Sequence, residues 1–251
     1  MSKKTPPTKW RTIVLSDIHL GIRESKAEEV VKFLNVNTAD TIILNGDIVD
    51  FWALSRGSKW KPKHSSCMKK LFNLANKGVD VIWVRGNHDD FLDQFLPMES
   101  KFNGIQILKE TELTGANGKK YLVLHGDIFD IFITKMGWLA KIGSVGYDLA
   151  LWFNYWYNEW RKYRNLPYLS VSKMIKDSVK QAVKFVTDFE VYITTTAKKA
   201  GYEGVICGHI HQPEIKDING VEYLNSGDWV ENLTCLVEDF NGDWSIFTYK
   251  H

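Results

Sequence analysis

The chain has 251 residues, 44% of them apolar and 25% charged, with a formal net charge of +2. That length suits one large domain or one domain with an insertion, and the composition is globular, which excludes disordered, collagenous and coiled-coil chains. Cys67, Cys207 and Cys235 are odd in number and form no Cys-x-x-Cys pair, so neither a disulfide framework nor a thiolate zinc site is expected, and a reducing cytosol is the default compartment.

Taken from the N-terminus, the first residues are basic, but the first apolar run is too short for the hydrophobic region of a signal peptide. No segment has the 18 or so uninterrupted apolar residues of a spanning helix, because Lys141, Asp148, Asn154 and Glu159 break the richest one. Short β-branched runs at 12–17, 41–47, 79–87, 121–127 and 204–209 each end in small or polar residues and predict buried strands. Between the first three lie two helix-length segments. One, 25–36, opens on a Ser25/Glu28 capping-box pattern, and the other, 65–77, closes before Gly78. Strand alternating with helix predicts an α/β fold.

From Ile131 to about Lys199 the pattern turns helical, with Trp152, Trp156 and Trp160 on one face, a second segment over 172–200, and Pro167 dividing the two. This predicts a core of residues 1–130 and 201–251 carrying an inserted helical cap, 131–200. The cap has eleven Lys and Arg against five Asp and Glu, and six of the ten residues at 151–160 are aromatic. Such a surface suits a lipid headgroup region or nucleic-acid bases. Arg161, Arg164, Lys173, Lys176 and Lys180 are candidates to grip a diphosphate or approach anionic lipid, although the three lysines also describe a solvated helix face. The tryptophan stripe reads either as core between cap helices or as an acyl pocket. Beyond residue 209, Asn219-Gly220 and Asn241-Gly242 predict two-residue hairpin turns and a second, antiparallel β portion.

The chemistry is written at the strand ends. His19, His88, His125, His209 and His211 all fall just past predicted strands, beside Asp17, Asp47 and Asn87, whereas His64 and His251 do not. Loops beyond the carboxyl ends of strands in an α/β sheet converge on one crevice. Three oxygen donors and four imidazoles there can fill two metal coordination spheres with one shared carboxylate, and the donor set suits manganese, iron, cobalt or zinc. Two such ions polarise a phosphoryl group and lower the pKa of water toward neutrality. Gly46, Gly86, Gly126 and Gly208 fit sharp turns after strands.

The order Asp17-x-His19, Gly46-Asp47, Gly86-Asn87-His88-Asp89, His125 and Gly208-His209-x-His211 resembles the calcineurin-like metallophosphoesterases, over essentially all of the chain outside the cap. The resemblance implies a sandwich of two β-sheets flanked by helices. It implies Asp17, His19, Asp47 and His211 on one metal and Asp47, Asn87, His125 and His209 on the other. It also implies that His88 is a general acid or transition-state stabiliser oriented by Asp50, which read alone is a solvated loop carboxylate. Arg85 is either an extra phosphate contact or a strand-end arginine.

Residues 45–52, the insertion after Asp127 and residues 223–229 further resemble the UDP-2,3-diacylglucosamine diphosphatase group of lipid A biosynthesis, as a sister branch, because that group carries arginine at the position of His88. This implies release of UMP and a lipid monophosphate by a cytoplasmic enzyme peripheral on an anionic inner-membrane surface. Two other readings are a phosphodiesterase or nuclease using the same metals, and a non-catalytic interaction module on the same fold. Nucleic acid is the less favoured partner.

Overall fold

The computed structural model describes residues 7–96, 101–127 and 171–250, with side chains from 183 onward in the last stretch. The chain forms two compact units, Met1–Asp127 with Tyr192–His251, and Ile128–Val191. The elements of the first unit are β1 (Thr8–Leu15), α1 (Ala27–Val36), β2 (Asn37–Asn45), α2 (Phe51–Ser55), α3 (Pro62–Asn76), β3 (Asp80–Val84), β4 (Ile105–Leu108), β5 (Glu110–Thr114), β6 (Lys120–Leu124), β7 (Gly204–Cys207), β8 (Glu214–Ile218), β9 (Val221–Asn225), β10 (Thr234–Glu238) and β11 (Trp244–Thr248). A 3-10 turn spans Asp90–Phe95, and a long helix, α4 (Val171–Lys199), belongs to both units.

Two sheets result. The first has the order β11-β10-β1-β2-β3-β4 and the second β5-β6-β7-β9-β8. Strands β1 to β4 are parallel, as are β6, β7 and β9, while the remaining neighbours are antiparallel. The apolar runs are unbroken because both faces of the first sheet are buried. Ile13, Leu15, Ile42, Leu44, Val81 and Trp83 pack with Val30, Phe33 and Leu34 of α1 and with Cys67, Leu71 and Leu74 of α3. The alternate residues Val14, Ile43 and Val84 pack with Tyr121, Val123, Ile206 and Leu224 of the second sheet. The period of two along a strand therefore sends successive side chains into two different cores.

Several local expectations differ from what forms. Helix α1 begins at Ala27, and Ser25 makes no cap; its buried hydroxyl donates to the Ile18 carbonyl at 2.7 Å, tying the turn after β1 to the helix entry. The Asn219-Gly220 turn forms as expected, with φ of 56° and 79°. The Asn241-Gly242 pair sits in a longer loop. Asp239 N–H donates to the Asp243 carbonyl and the Asp239 carboxylate accepts from Asn241 and Asp243, so the side chain outcompetes a two-residue turn. Nor do the two hairpins make a separate layer: β8 lies on one edge of the second sheet, and β10 and β11 extend the first.

The end of α3 forms as its glycine requires. Gly78 N–H donates to the Ala75 carbonyl and Val79 N–H to the Leu74 carbonyl, a Schellman closure with Gly78 at φ 93°. A Cβ at Gly78 would meet nothing within 4 Å. Gly78→Ala should therefore carry only the backbone cost of the left-handed conformation, about 1 kcal/mol. Chemical denaturation should show that loss.

Candidate metal centre

Five parallel strands end on one crevice. Residues Ser16–His19 follow β1, Gly46–Asp50 follow β2, Arg85–Asp89 follow β3, His125 follows β6 and Gly208–His211 follow β7. The loops are stitched together through their backbones, Asp17 N–H donating to the Gly46 carbonyl, His19 N–H to the Asp47 carbonyl, and Gly208 N–H to the His125 carbonyl. Among the described residues eight non-glycine positions have positive φ, and five of them are Asp17, His19, Asp47, His209 and His211. Each such conformation costs on the order of 1–2 kcal/mol, so the surrounding bonds must hold it.

The glycines show why the approach is so close. A Cβ on Gly208 would lie 2.6 Å from Asp17 Oδ2, and one on Gly86 would collide with the Asp47 carboxylate and the His125 ring. Only a bare backbone fits behind those two carboxylates.

The side chains form three groups, the third overlapping each of the first two. Asp17, His19 and His211 each offer a donor atom within 4.8 Å of the others, and so do Asp47, His125 and His209; a third such group joins His19, Asp47 and His88. His211 Nε2 is 3.1 Å from Asp17 Oδ1, His125 Nε2 is 3.4 Å from Asp47 Oδ2, and His19 Nε2 is 3.8 Å from Asp47 Oδ2. Asp47 thus touches both halves of the cluster. Asn87 lies between Gly86 and His88, and its Oδ1 is buried with no hydrogen-bond partner. Asp17 Oδ1 and His125 Nε2 are likewise buried without an aligned hydrogen bond. Buried polar atoms are normally paired, and convergent unpaired donors of this kind fit a cation. His125 is set for it, because Nδ1 lies 2.8 Å from the Asn45 carbonyl, which makes Nδ1 the protonated nitrogen and leaves Nε2 as the free donor.

The electrostatics say the same. Burial alone would raise the Asp47 carboxyl, but His125, His19 and His88 hold it well below the usual carboxylate range. Asp17 is also lowered against its burial, by His125 and His211. Burial opposes protonation of His125 and His211, yet the facing carboxylates raise them to about 10 and about 9. Imidazoles held protonated by buried carboxylates are those from which a metal ion displaces the proton.

Asp50 and Asp89 complete the frame. Asp50 Oδ1 lies 3.1 Å from His88 Nδ1 and Oδ2 lies 3.3 Å from His19 Nδ1, so one carboxylate touches two imidazoles. It also caps α2 by accepting from Ala53 N–H at 2.7 Å. Burial would raise its carboxyl, but the His19, His88 and Ala53 contacts hold it low. For His88, burial opposes protonation, and Asp50 with Asp47 behind it raises the imidazole above its ordinary value. The His88 ring also meets Trp52 at 4.5 Å. Asp89 is fully buried and accepts from Ile48 N–H, Val49 N–H and Trp83 Nε1 at 2.8–3.2 Å. It clamps the segment between Asp47 and Asp50. Sequence reasoning quoted Asp89 only as part of a motif; its isolation from solvent was not written in its neighbours.

A second unanticipated device lies after β9. Trp229 N–H donates to the Asp17 carbonyl, and Asn232 Nδ2 donates to the His211 carbonyl at 2.8 Å and to buried Asp228. Asp228 also accepts from the backbone N–H groups of Val230 and Glu231, which folds the segment into a clasp over the Asp17 and His211 loops.

Arg85 is tied to Asp127 and, at 3.0 Å, to Asp93, bridging the β3 and β6 ends. Lys173, Lys176 and Lys180 are on α4, with side chains outside the described residues, and Trp152, Trp156, Arg161 and Arg164 lie outside them altogether. No helix among the described residues is long and apolar enough to cross a membrane.

Two sheets whose strand ends gather a His/Asp cluster of this order define a metal-dependent phosphoesterase, and the chain belongs to the calcineurin-like phosphoesterases, whose family model matches residues 11–213. Within that hydrolase family it is 27% identical to the UDP-2,3-diacylglucosamine hydrolase of Neisseria meningitidis serogroup B, over 93% of this chain and 95% of the relative. The enzyme of the same name from Vibrio atlanticus is 24% identical, over 90% and 93%. The crystal structure of a hypothetical protein from Pyrococcus horikoshii OT3 shares the fold, with a TM-score of 0.51 and 12% identity over 97% of this chain and 89% of the other.

Asp89→Ala would leave three buried donors unpaired, at about 1–3 kcal/mol each. It should lower unfolding free energy by roughly 3 kcal/mol or more, read by denaturant titration, whereas exposed Asp90→Ala should stay within about 0.5 kcal/mol of the parent.

Proposed function

We propose that the protein is a two-metal phosphohydrolase that cleaves the diphosphate of UDP-2,3-diacylglucosamine, releasing UMP and a lipid monophosphate. The observation that carries the chemistry is the donor group Asp47/His125/His209 beside the group Asp17/His19/His211, with His19 3.8 Å from Asp47 linking them and buried atoms on Asp17, Asn87 and His125 that make no aligned hydrogen bond. The substrate is supported by the activity for which relatives aligned along nine-tenths or more of the chain are named.

In this reading Asp17, His19 and His211 hold one divalent ion, Asn87, His125 and His209 hold the other, and Asp47 contacts both. Manganese is the first ion to test, with iron, cobalt and zinc as alternatives. When bound, the ions polarise the phosphoryl oxygens and supply a hydroxide equivalent at neutral pH. The protein's own part is positioning and proton handling. His88, whose protonated form Asp50 and Asp47 favour, donates toward the leaving phosphate oxygen, and Asp50 keeps Nδ1 engaged so that the other ring nitrogen faces the reaction. Residues 131–200 act as an inserted cap whose basic and aromatic side chains bind the diphosphate and acyl chains, and the enzyme works peripherally on the cytoplasmic face of the inner membrane.

The test is UMP release from UDP-2,3-diacylglucosamine by the manganese-loaded protein, with UDP-N-acetylglucosamine and bis(p-nitrophenyl) phosphate in parallel. Acyl-dependent turnover is the expected outcome, and hydrolysis of the simple diester alone would remove the lipid substrate. Asp47→Ala should lose metal and activity together by metal analysis. His88→Ala should keep two ions per chain while turnover falls about 10²- to 10⁴-fold. Asn232→Ala should weaken ion binding about tenfold or more, because it frees the Gly208–His211 loop that carries both His209 and His211.

A further inference from the structure

Residues 51–79 contain seven Lys and Arg and no Asp or Glu, whereas the whole chain has a net charge of only +2. The stretch starts at the rim of the metal centre, where Trp52 of α2 stacks on His88, and runs through Arg56–Lys61 into α3. Arg56, Lys59, Trp60 and Lys61 are exposed, Trp60 by 40% and Trp52 by 38%. The segment is fixed rather than trailing. Ser58 donates to the Gly21 carbonyl, and Lys63 Nζ to the carbonyls of Arg23 and Ser25, which lays it along the 21–25 loop and adds exposed Arg23 to the same patch. Trp60 is held by its indole N–H, which donates to Ser65 Oγ at 2.7 Å, and by ring contact with His64.

Among the described residues no carboxylate lies within ion-pair distance of Arg23, Arg56, Lys59 or Lys61. The crowding is felt inside the patch: burial, then Lys63 and Lys61, hold His64 below its ordinary value, and burial with Lys77 does the same to Lys70. Exposed Glu24 in the 21–25 loop is a carboxylate of this surface and makes no ion pair with these cations, and a fixed surface so dominated by one sign of charge is a cost to the isolated molecule that an anionic partner recovers. Lysines around an exposed tryptophan are the side chains that anchor proteins at the headgroup level of a bilayer.

We infer that the face formed by Arg23, Arg56, Lys59, Trp60 and Lys61 docks on an anionic phospholipid bilayer and brings the rim at Trp52 and His88 to it. These residues lie outside segment 131–200 of the sequence. Its choice of a bilayer over other polyanions rests on the lipid-linked substrate proposed above, since an acylated substrate resides in the membrane and a docking face contiguous with His88 shortens its path to the site.

The test is co-sedimentation of the full-length protein with phosphatidylcholine vesicles, with and without phosphatidylglycerol, for the parent, Lys59→Ala/Lys61→Ala and Trp60→Ala. Each basic contact is worth about fivefold, so the double variant should bind anionic vesicles about thirtyfold more weakly. Turnover of bis(p-nitrophenyl) phosphate should be unchanged in every variant, since none of the three touches the metal centre. Parent-like vesicle binding by the double variant, no preference of the parent for phosphatidylglycerol, or tighter lysine-dependent binding to single-stranded DNA than to vesicles would each overturn the inference. Loss of acyl-dependent UMP release with the vesicle result intact would count against the substrate alone.

Discussion

Everything in the centre depends on where the Asp47 carboxylate is held. It sits just past a buried parallel strand, in a left-handed conformation that an aspartate does not adopt unaided, with Gly86 packed against one side and the His125 ring beyond it. Its Oδ1 accepts from His88 N–H at 2.8 Å, and the next two backbone N–H groups are taken by Asp89. The loop is therefore over-determined from two directions, and local strain of a kcal/mol or two persists because unpairing those buried groups costs more. The same arrangement recurs at Asp17, whose carbonyl and carboxylate are gripped by Trp229 and His209.

The charge distribution follows from that placement. Carboxylates buried at Asp17, Asp47 and Asp50 face imidazoles at every turn, and each side shifts the other toward its charged form despite burial. A cluster with this balance is chemically a cation site whose positive charge is carried by protons until metal replaces them. Asp50 adds a link between the two tasks of the site, since a single carboxylate orients a candidate ligand, His19, and the candidate acid, His88.

Much of this was legible in the sequence, for identifiable reasons. Strand ends can be read because a β-branched run that stops at a small or polar residue has few structural alternatives, so Asp17, Asp47, His125 and His209 read as strand-end residues, and the structure brings them to one crevice. The loop after residue 239 was misjudged, because Asp239 competes for the turn through its side chain, an interaction three and four residues away that dipeptide preference ignores. The clasp of Asp228 and Asn232 was illegible for a different reason: its targets, Asp17 and His211, are set by tertiary approach. The two edge strands β4 and β5 were missed because their half-buried or alternating patterns are short and carry many polar residues.

The sheet order also governs how the molecule comes into being. Strand β1, made first, lies between β2 and β10, so its outer edge stays open until the last fifth of the chain arrives. The bonds that close it span nearly the whole length: Ser16 to Ser226 at 2.7 Å, Thr12 to Glu238 at 2.6 Å, and the Asp17 carbonyl to Trp229. Asp47, Asn87 and His125 thus come from the first half of the chain, but His209 and His211 both follow β7, so neither donor group is complete until that segment folds back. The donor set is in this sense a record of closure, because its full complement exists only when the segment from His209 to Asn232 has folded onto the loop after β1.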